Sequence, residues 1–219
     1  MCSDKRGMGV QDVLDFWFGT PGSAIWNTAR KEWFTKRDGF DATIRDTFLP
    51  TWQAAHEGTP QGAHQGAHQG AHQGAHQGAP DDWSATPEGA CARLILLDQF
   101  PRNMFRGDAR SFATDAQAQA LARRMLAQGW DRELPTPWHR MFCYLPFEHA
   151  ESPEAQEISV RAYTTLREDT GGAVDGVEWA VKHQEIIARF GRFPHRNAVL
   201  GRASTDEELA FLKQPGSSF

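Results

Sequence analysis

The chain has 219 residues, a formal net charge of -5 and a pI near 6.0. About 190 residues lie outside one low-complexity tract, the size of a single domain that buries its own core. The acidic balance excludes a general nucleic-acid-binding surface, three cysteines without framework spacing exclude a disulfide scaffold, and a longest aliphatic run of only Leu94-Ile95-Leu96-Leu97 excludes a membrane span.

Fourteen Phe and eight Trp against two Tyr mean that most of the aromatic surface serves packing. Charges at Asp4, Lys5 and Arg6 are followed by no apolar leader stretch, so the expected address is the cytoplasm.

Residues 10–18, VQDVLDFWF, place Val10, Val13, Leu14 and Trp17 at helical spacing, and Gly19-Thr20-Pro21-Gly22 stops that helix. A second helix is predicted from about Ala29 to Thr47, with Phe40, Ile44 and Phe48 as its apolar stripe, Trp33 one turn earlier and Pro50 as its end. Residues 61–80 read QGAH four times and then QGAP. A glycine at every fourth position opposes a helix by about 1 kcal/mol each. The tract is therefore expected to be a disordered insertion spanning about 56–82. If a metal forced helicity, His64, His68, His72 and His76 would share one face and chelate Ni²⁺ or Zn²⁺; the alternative is an expanded repeat without chemistry.

Thr86-Pro87-Glu88, Thr136-Pro137 and Ser152-Pro153-Glu154 are helix starts, each with a hydroxyl N-cap and proline at the first helical position. The first opens a helix carrying Cys91, Leu94, Ile95, Leu97 and Asp98 until Pro101 halts it. Cys91 and Cys143 are expected to be inert core thiols. A helix after Thr114 carries Leu121, Met125 and Leu126 and ends at Gly129. The Thr136 start leads into Trp138, Met141, Phe142 and Leu145. The Ser152 start leads into Ile158, Ala162 and Leu166, which stack at i, i+4, i+8 before Gly171-Gly172. Val177, Val181, Ile186, Ile187 and Phe190 define the next helix, capped by Gly191, and a capping box of Ser204 with Glu207 opens the last. No stretch alternates as a strand does, so the expected fold class is all-α, with roughly eight to ten helices in a single domain over 1–219.

Three polar turns stand out. In Asp98–Asp108, Arg102, Asn103 and Arg106 end a very apolar helix, and arginine forks suit carboxylate or phosphate, or the nearby Asp98 and Asp108. In Leu145–Glu151, His149 lies near Glu148 and Glu151, carboxylates able to orient an imidazole for acid–base work. In Arg189–Asn197, Arg192, His195, Arg196 and Asn197 supply donors around Gly191 and Pro194, and a helix opening at Asn197 would make an anion site, with His183 one helix earlier. No P-loop, Gly-x-Ser-x-Gly or His-Glu-x-x-His is present, so neither a cofactor nor a metal is assigned.

The stretches VLDFWFG (13–19), LILLDQFPRNMFRG (94–107), FATDAQAQALA (112–122), YLPFEHAE (144–151), QEISV (156–160), HQEIIARFGRFPHRNAVLGRAST (183–205) and GSSF (216–219) resemble the bacterial domain-of-unknown-function family 924. The resemblance implies stacked antiparallel helix pairs similar to the tetratricopeptide-repeat superfamily, and no established activity or catalytic residue. The QGAH tract departs from the family pattern, where a shorter connection is expected.

Three functions compete. The favoured expectation is a binder of a small anionic ligand through Arg102, Asn103, Arg106, Glu151, His183, Arg192, Arg196 and Asn197. The second is a hydrolase-like enzyme with His149 or His195 as acid–base, oriented by Glu148 or Glu151. The third is an interaction scaffold with an unidentified protein partner, whose concave face the chain's own terminal Leu212–Phe219 could fill.

Overall fold

A computed structural model describes residues 8–57 and 82–218; the QGAH histidines and Phe219 lie outside the described residues. Every regular element among the described residues is helical, so the protein is all-α. None of these helices is long and apolar enough to cross a membrane.

Helix α1 (Val10–Phe18) buries Val13, Leu14, Trp17 and Phe18. Trp17 is the centre of an aromatic hub, with ring centroids 5.6 Å from Phe100, 5.5 Å from Phe142 and 6.2 Å from Trp33. Burying side chains of this size stabilises the fold by roughly 2–3 kcal/mol each. The carbonyls left open at the helix end are taken from outside: Arg30 donates to Phe16 and Trp17 at 2.7 and 2.8 Å, and Trp33 Nε1 to Trp17 at 3.1 Å.

That use of Trp33 explains a departure from the sequence expectation. Trp33 sits in a separate 3₁₀ turn (Lys31–Trp33), and α2 begins only at Asp38 and runs to Glu57 with Pro50 inside it. Pro50 removes one backbone donor. The helix continues because Trp52 and Ala55, beyond the proline, are buried, and Asp46, whose carbonyl loses its partner, is on the exposed side.

Pro101 likewise fails to halt its helix. Helix α3 (Pro87–Leu94) passes through a π turn (Ile95–Gln99) directly into α4 (Phe100–Met104). The Leu97 carbonyl, which Pro101 cannot serve, accepts the Thr114 hydroxyl instead. The wide turn re-aims successive side chains, so that Ile95, Leu96 and Leu97 enter the core while Asp98 and Gln99 are buried as polar groups. At the start of α3, Gly89 is required by a close approach: a Cβ there would lie 2.1 Å from the Trp83 carbonyl oxygen.

Helix α5 (Asp115–Gln128) ends at Gly129 with φ +71°, followed by α6 (Pro137–Phe142) and the short α7 (Leu145–Glu148), which takes Leu145 as its own first residue. Cys91 and Cys143 are fully buried free thiols. Helices α8 (Pro153–Asp169) and α9 (Val177–Phe190) form a helical hairpin closed by Gly171-Gly172. Beyond it lie a 3₁₀ turn (Pro194–Arg196) and α10 (Asp206–Phe211). The capping box of α10 falls one residue later than the sequence suggests: Thr205 Oγ1 accepts from Glu208 N and Glu208 accepts from Thr205 N. Asn197 opens no helix, since turns follow it up to Gly201.

Candidate functional site

Six elements bring polar side chains to one place. The π turn supplies Asp98, α4 Arg102, the first turn of α5 Asp115, α7 with its cap Glu148 and His149, the middle of α9 His183, and the 3₁₀ turn His195 and Arg196.

Asp98 is 1 % exposed. His149 Nδ1 lies 2.9 and 3.0 Å from its two oxygens, Arg102 Nη1 lies 3.3 Å away, and Gln99 Nε2 donates at 2.6 Å. Burial alone would raise the Asp98 pKa; the charges of Arg102 and His149, with the hydrogen bonds of His149 and Gln99, prevail and hold it well below the usual carboxylate range. Burial and the Arg102 charge push His149 the other way, below its ordinary value. The pair is thus a buried carboxylate holding an imidazole by Nδ1. The hydrogen bonds of His149 to Asp98 use Nδ1, on a side chain 16 % exposed.

Arg102 also grips Asp115 with two parallel bonds of 2.8 and 3.0 Å and donates to the Asp98 carbonyl at 2.7 Å. Arg196 approaches the same Asp115 from the other side at 3.6 Å, between the rings of Phe112 and Phe193, whose centroids are 4.7 and 4.5 Å from its Cζ. It makes no hydrogen bond to a described residue, and its buried Nε has no partner. Burial, then the Arg102 charge, lowers its pKa to about 10, leaving it cationic at neutral pH.

Below this pair, Glu148 Oε1 lies 3.2 Å from His183 Nδ1, which also faces the Trp179 carbonyl at 2.8 Å. Burial, together with the Asp98 charge, raises Glu148 to about 8 despite a hydrogen bond from Tyr163, so Glu148 is protonated at neutral pH. Burial lowers His183 to about 3; burial and the Arg196 charge lower His195 to about 4. The Phe193 ring contacts two of the imidazoles, with centroids 5.5 Å from His183 and 5.7 Å from His195.

Other predicted site residues are used elsewhere. Asn103 and Arg106 both bind Asp41 of α2, Asn103 at 2.7 Å and Arg106 at 2.6 and 3.2 Å. Glu151 accepts from the Phe193 backbone at 2.8 Å and from Arg202 at 2.6 and 2.9 Å, which straps the 3₁₀ turn down. Arg192 binds Glu208 at 2.6 and 2.8 Å and the Ala203 carbonyl at 2.9 Å, while Asn197 donates to Ser204 at 3.0 Å. The oxygen that orients His149 is therefore that of Asp98, with Glu148 turned to His183 and Glu151 to Arg202.

Sequence reasoning named Asp98 only as an arginine partner and passed over Asp41, Asp115, Tyr163 and the two flanking phenylalanines. Asp115 gave one signal, an acid in the first turn of a helix. Among the described residues, a hollow of about 240 Å³ lies beside Pro153, Glu157 and Gln184 and another of about 180 Å³ beside Asp131, Thr136 and Arg140; the Asp98 group lines neither of these. No group of metal-ligating side chains is found among the described residues.

An all-helical fold wrapped around a buried carboxylate–imidazole–guanidinium network defines the class of this protein. The family described as "bacterial protein of unknown function (DUF924)" matches residues 13–216, and the chain belongs to it. The chain is similar to a solved structure of a protein of unknown function from Agrobacterium tumefaciens, with 33 % identity over 93 % of this chain and 96 % of that one and a TM-score of 0.71. No curated protein matches.

Proposed function

We propose that the group around Arg196, Arg102 and Asp115 binds a small anionic ligand. One observation carries this: Arg196 is 6 % exposed yet makes no hydrogen bond to a described residue. A buried guanidinium that serves structure alone has its donors satisfied. One held in place by its neighbours but short of acceptors is suited to receive one from outside. Arg102, Asp115 and His149, with 18, 24 and 16 % of their side chains exposed, form the approach to it.

The test is calorimetric titration of the full chain with phosphate, sulfate, nucleotides and organic acids, beside Arg196→Ala. Saturable binding is expected in the parent and lost in the variant, while the apo variant melts at the same temperature or higher, because an unsatisfied buried charge has been removed. Loss of about 3–5 kcal/mol in the variant without anion binding in the parent would assign Arg196 to structure and sink the proposal.

A second reading rests on the Asp98–His149 pair. A carboxylate on Nδ1 fixes the tautomer whose Nε2 accepts a proton, the arrangement a hydrolase-like general base uses. An anion held by the neighbouring arginines would be its substrate. Turnover of no ester, amide or phosphoester by the parent, under conditions where the anion binds, would leave binding alone. The buried reduced thiols fit a cytoplasmic location. An interaction scaffold of tetratricopeptide-like type has only the α8–α9 hairpin in its favour.

A further inference from the structure

We infer, resting on the anion-binding reading above, that the ligand's charged head is a planar carboxylate and not a tetrahedral oxyanion. The argument comes from what covers Arg196. A guanidinium donates only in its own plane. The rings of Phe112 and Phe193 flank its Cζ at 4.7 and 4.5 Å, and Phe112 also stands 5.7 Å from the Cζ of Arg102. An aromatic face carries negative electrostatic potential. It attracts the guanidinium lying over it and repels an anionic oxygen.

A carboxylate coplanar with the fork puts both oxygens on the donors and none over the rings. Phosphate or sulfate with two oxygens in that plane carries two more out of it, where an oxygen that nears either phenyl face is repelled. The chain itself supplies a precedent, because the carboxylate between the two arginines is that of Asp115, bidentate on Arg102 and 3.6 Å from Arg196. Arg102 already holds one carboxylate edge-on, and on this inference Arg196 takes a second.

The experiment titrates the full chain at pH 7 and constant ionic strength with acetate, succinate, citrate and benzoate, and separately with inorganic phosphate and sulfate. At least one carboxylate is expected to bind about tenfold or more tighter than either tetrahedral anion, the scale of one charged hydrogen bond lost. Arg196→Lys, which keeps the charge but not the fork, is expected to weaken that carboxylate by about tenfold. Phe112→Ala, which removes one ring from a half-buried position, is expected to narrow the preference. Phosphate or sulfate binding as tightly as every carboxylate overturns the planar-head inference while the anion reading stands. Carboxylate binding untouched by Arg196→Lys overturns it by placing the site elsewhere. No anion of either shape binding defeats both.

Discussion

His149 and Asp98, 51 positions apart, meet with Nδ1 2.9 Å from one carboxylate oxygen and 3.0 Å from the other. The contact joins α7 to the π turn and fixes the imidazole tautomer. Asp98→Asn keeps the shape and removes the charge that Arg102 and His149 face. Breaking a buried pair on one side costs about 3–5 kcal/mol, and chemical denaturation should show a loss of that order. The pKa of Asp98 is depressed in the fold, so its contribution is complete above the ordinary value of 3.8 and is lost as pH falls through the folded value. The parent–variant gap should hold from neutral pH to about 4. A gap that has closed by pH 5 contradicts the assignment.

Glu148 has the opposite sign. Its pKa is raised from 4.5 to about 8, chiefly by burial. Between those values the folded state keeps a proton that the unfolded chain has released, so stability falls as pH rises, with a slope of up to about 1.4 kcal/mol per pH unit. His183, lowered from 6.5 to about 3, works in the other direction at acid pH. Glu148→Gln, which mimics the protonated acid, removes the Glu148 slope and leaves that of His183. The variant should therefore gain on the parent steadily from pH 5 to pH 8. Parallel stability curves across that range would mean that Glu148 is ionised in the fold.

Pro50 is exposed in the interior of α2. Pro50→Ala restores a donor to the Asp46 carbonyl and relieves the ring's clash with it. An unfolded chain freed of proline offsets part of that gain. A net stabilisation of about 1–2 kcal/mol is expected by urea denaturation; a loss would show that the helix depends on the proline.

Local chemistry was legible in the residues. The starts at Thr86, Thr136 and Ser152 all have the side-chain oxygen accepting from the amide three positions on, at 3.1, 3.4 and 3.4 Å. Gly129 and Gly191 end their helices with φ +71° and +69°. Pro50 and Pro101 were misleading because breaking one hydrogen bond is a local term, and the burial of Trp52, Ala55, Phe100 and Met104 that outweighs it is not. The site was half legible for the same reason. Arginines and histidines concentrated in turns point to themselves, but their acids are chosen by packing: Asp41 for Arg106 across 65 positions, Asp98 for His149 across 51, Glu151 for Arg202 across 51. Nothing in the spacing separates Asn103 and Arg106, committed to Asp41, from Arg102 one turn away, committed to Asp115.

The strap from Glu151 to Arg202 and Phe193 has a consequence for biogenesis. Translation releases Asp98, Asp115 and Glu148 well before the segment that carries His183, His195 and Arg196, and the turn holding His195 and Arg196 gains its side-chain strap when Arg202 has followed it. Before His183 and Arg196 are made, Asp115 has Arg102 alone and Glu148 lacks its imidazole neighbour, so a nascent chain ending short of them holds a half-built acid cluster. The polar cluster is thus among the last parts of the fold to be completed, and on the anion-binding proposal ligand binding would report whether synthesis and folding have run to the end.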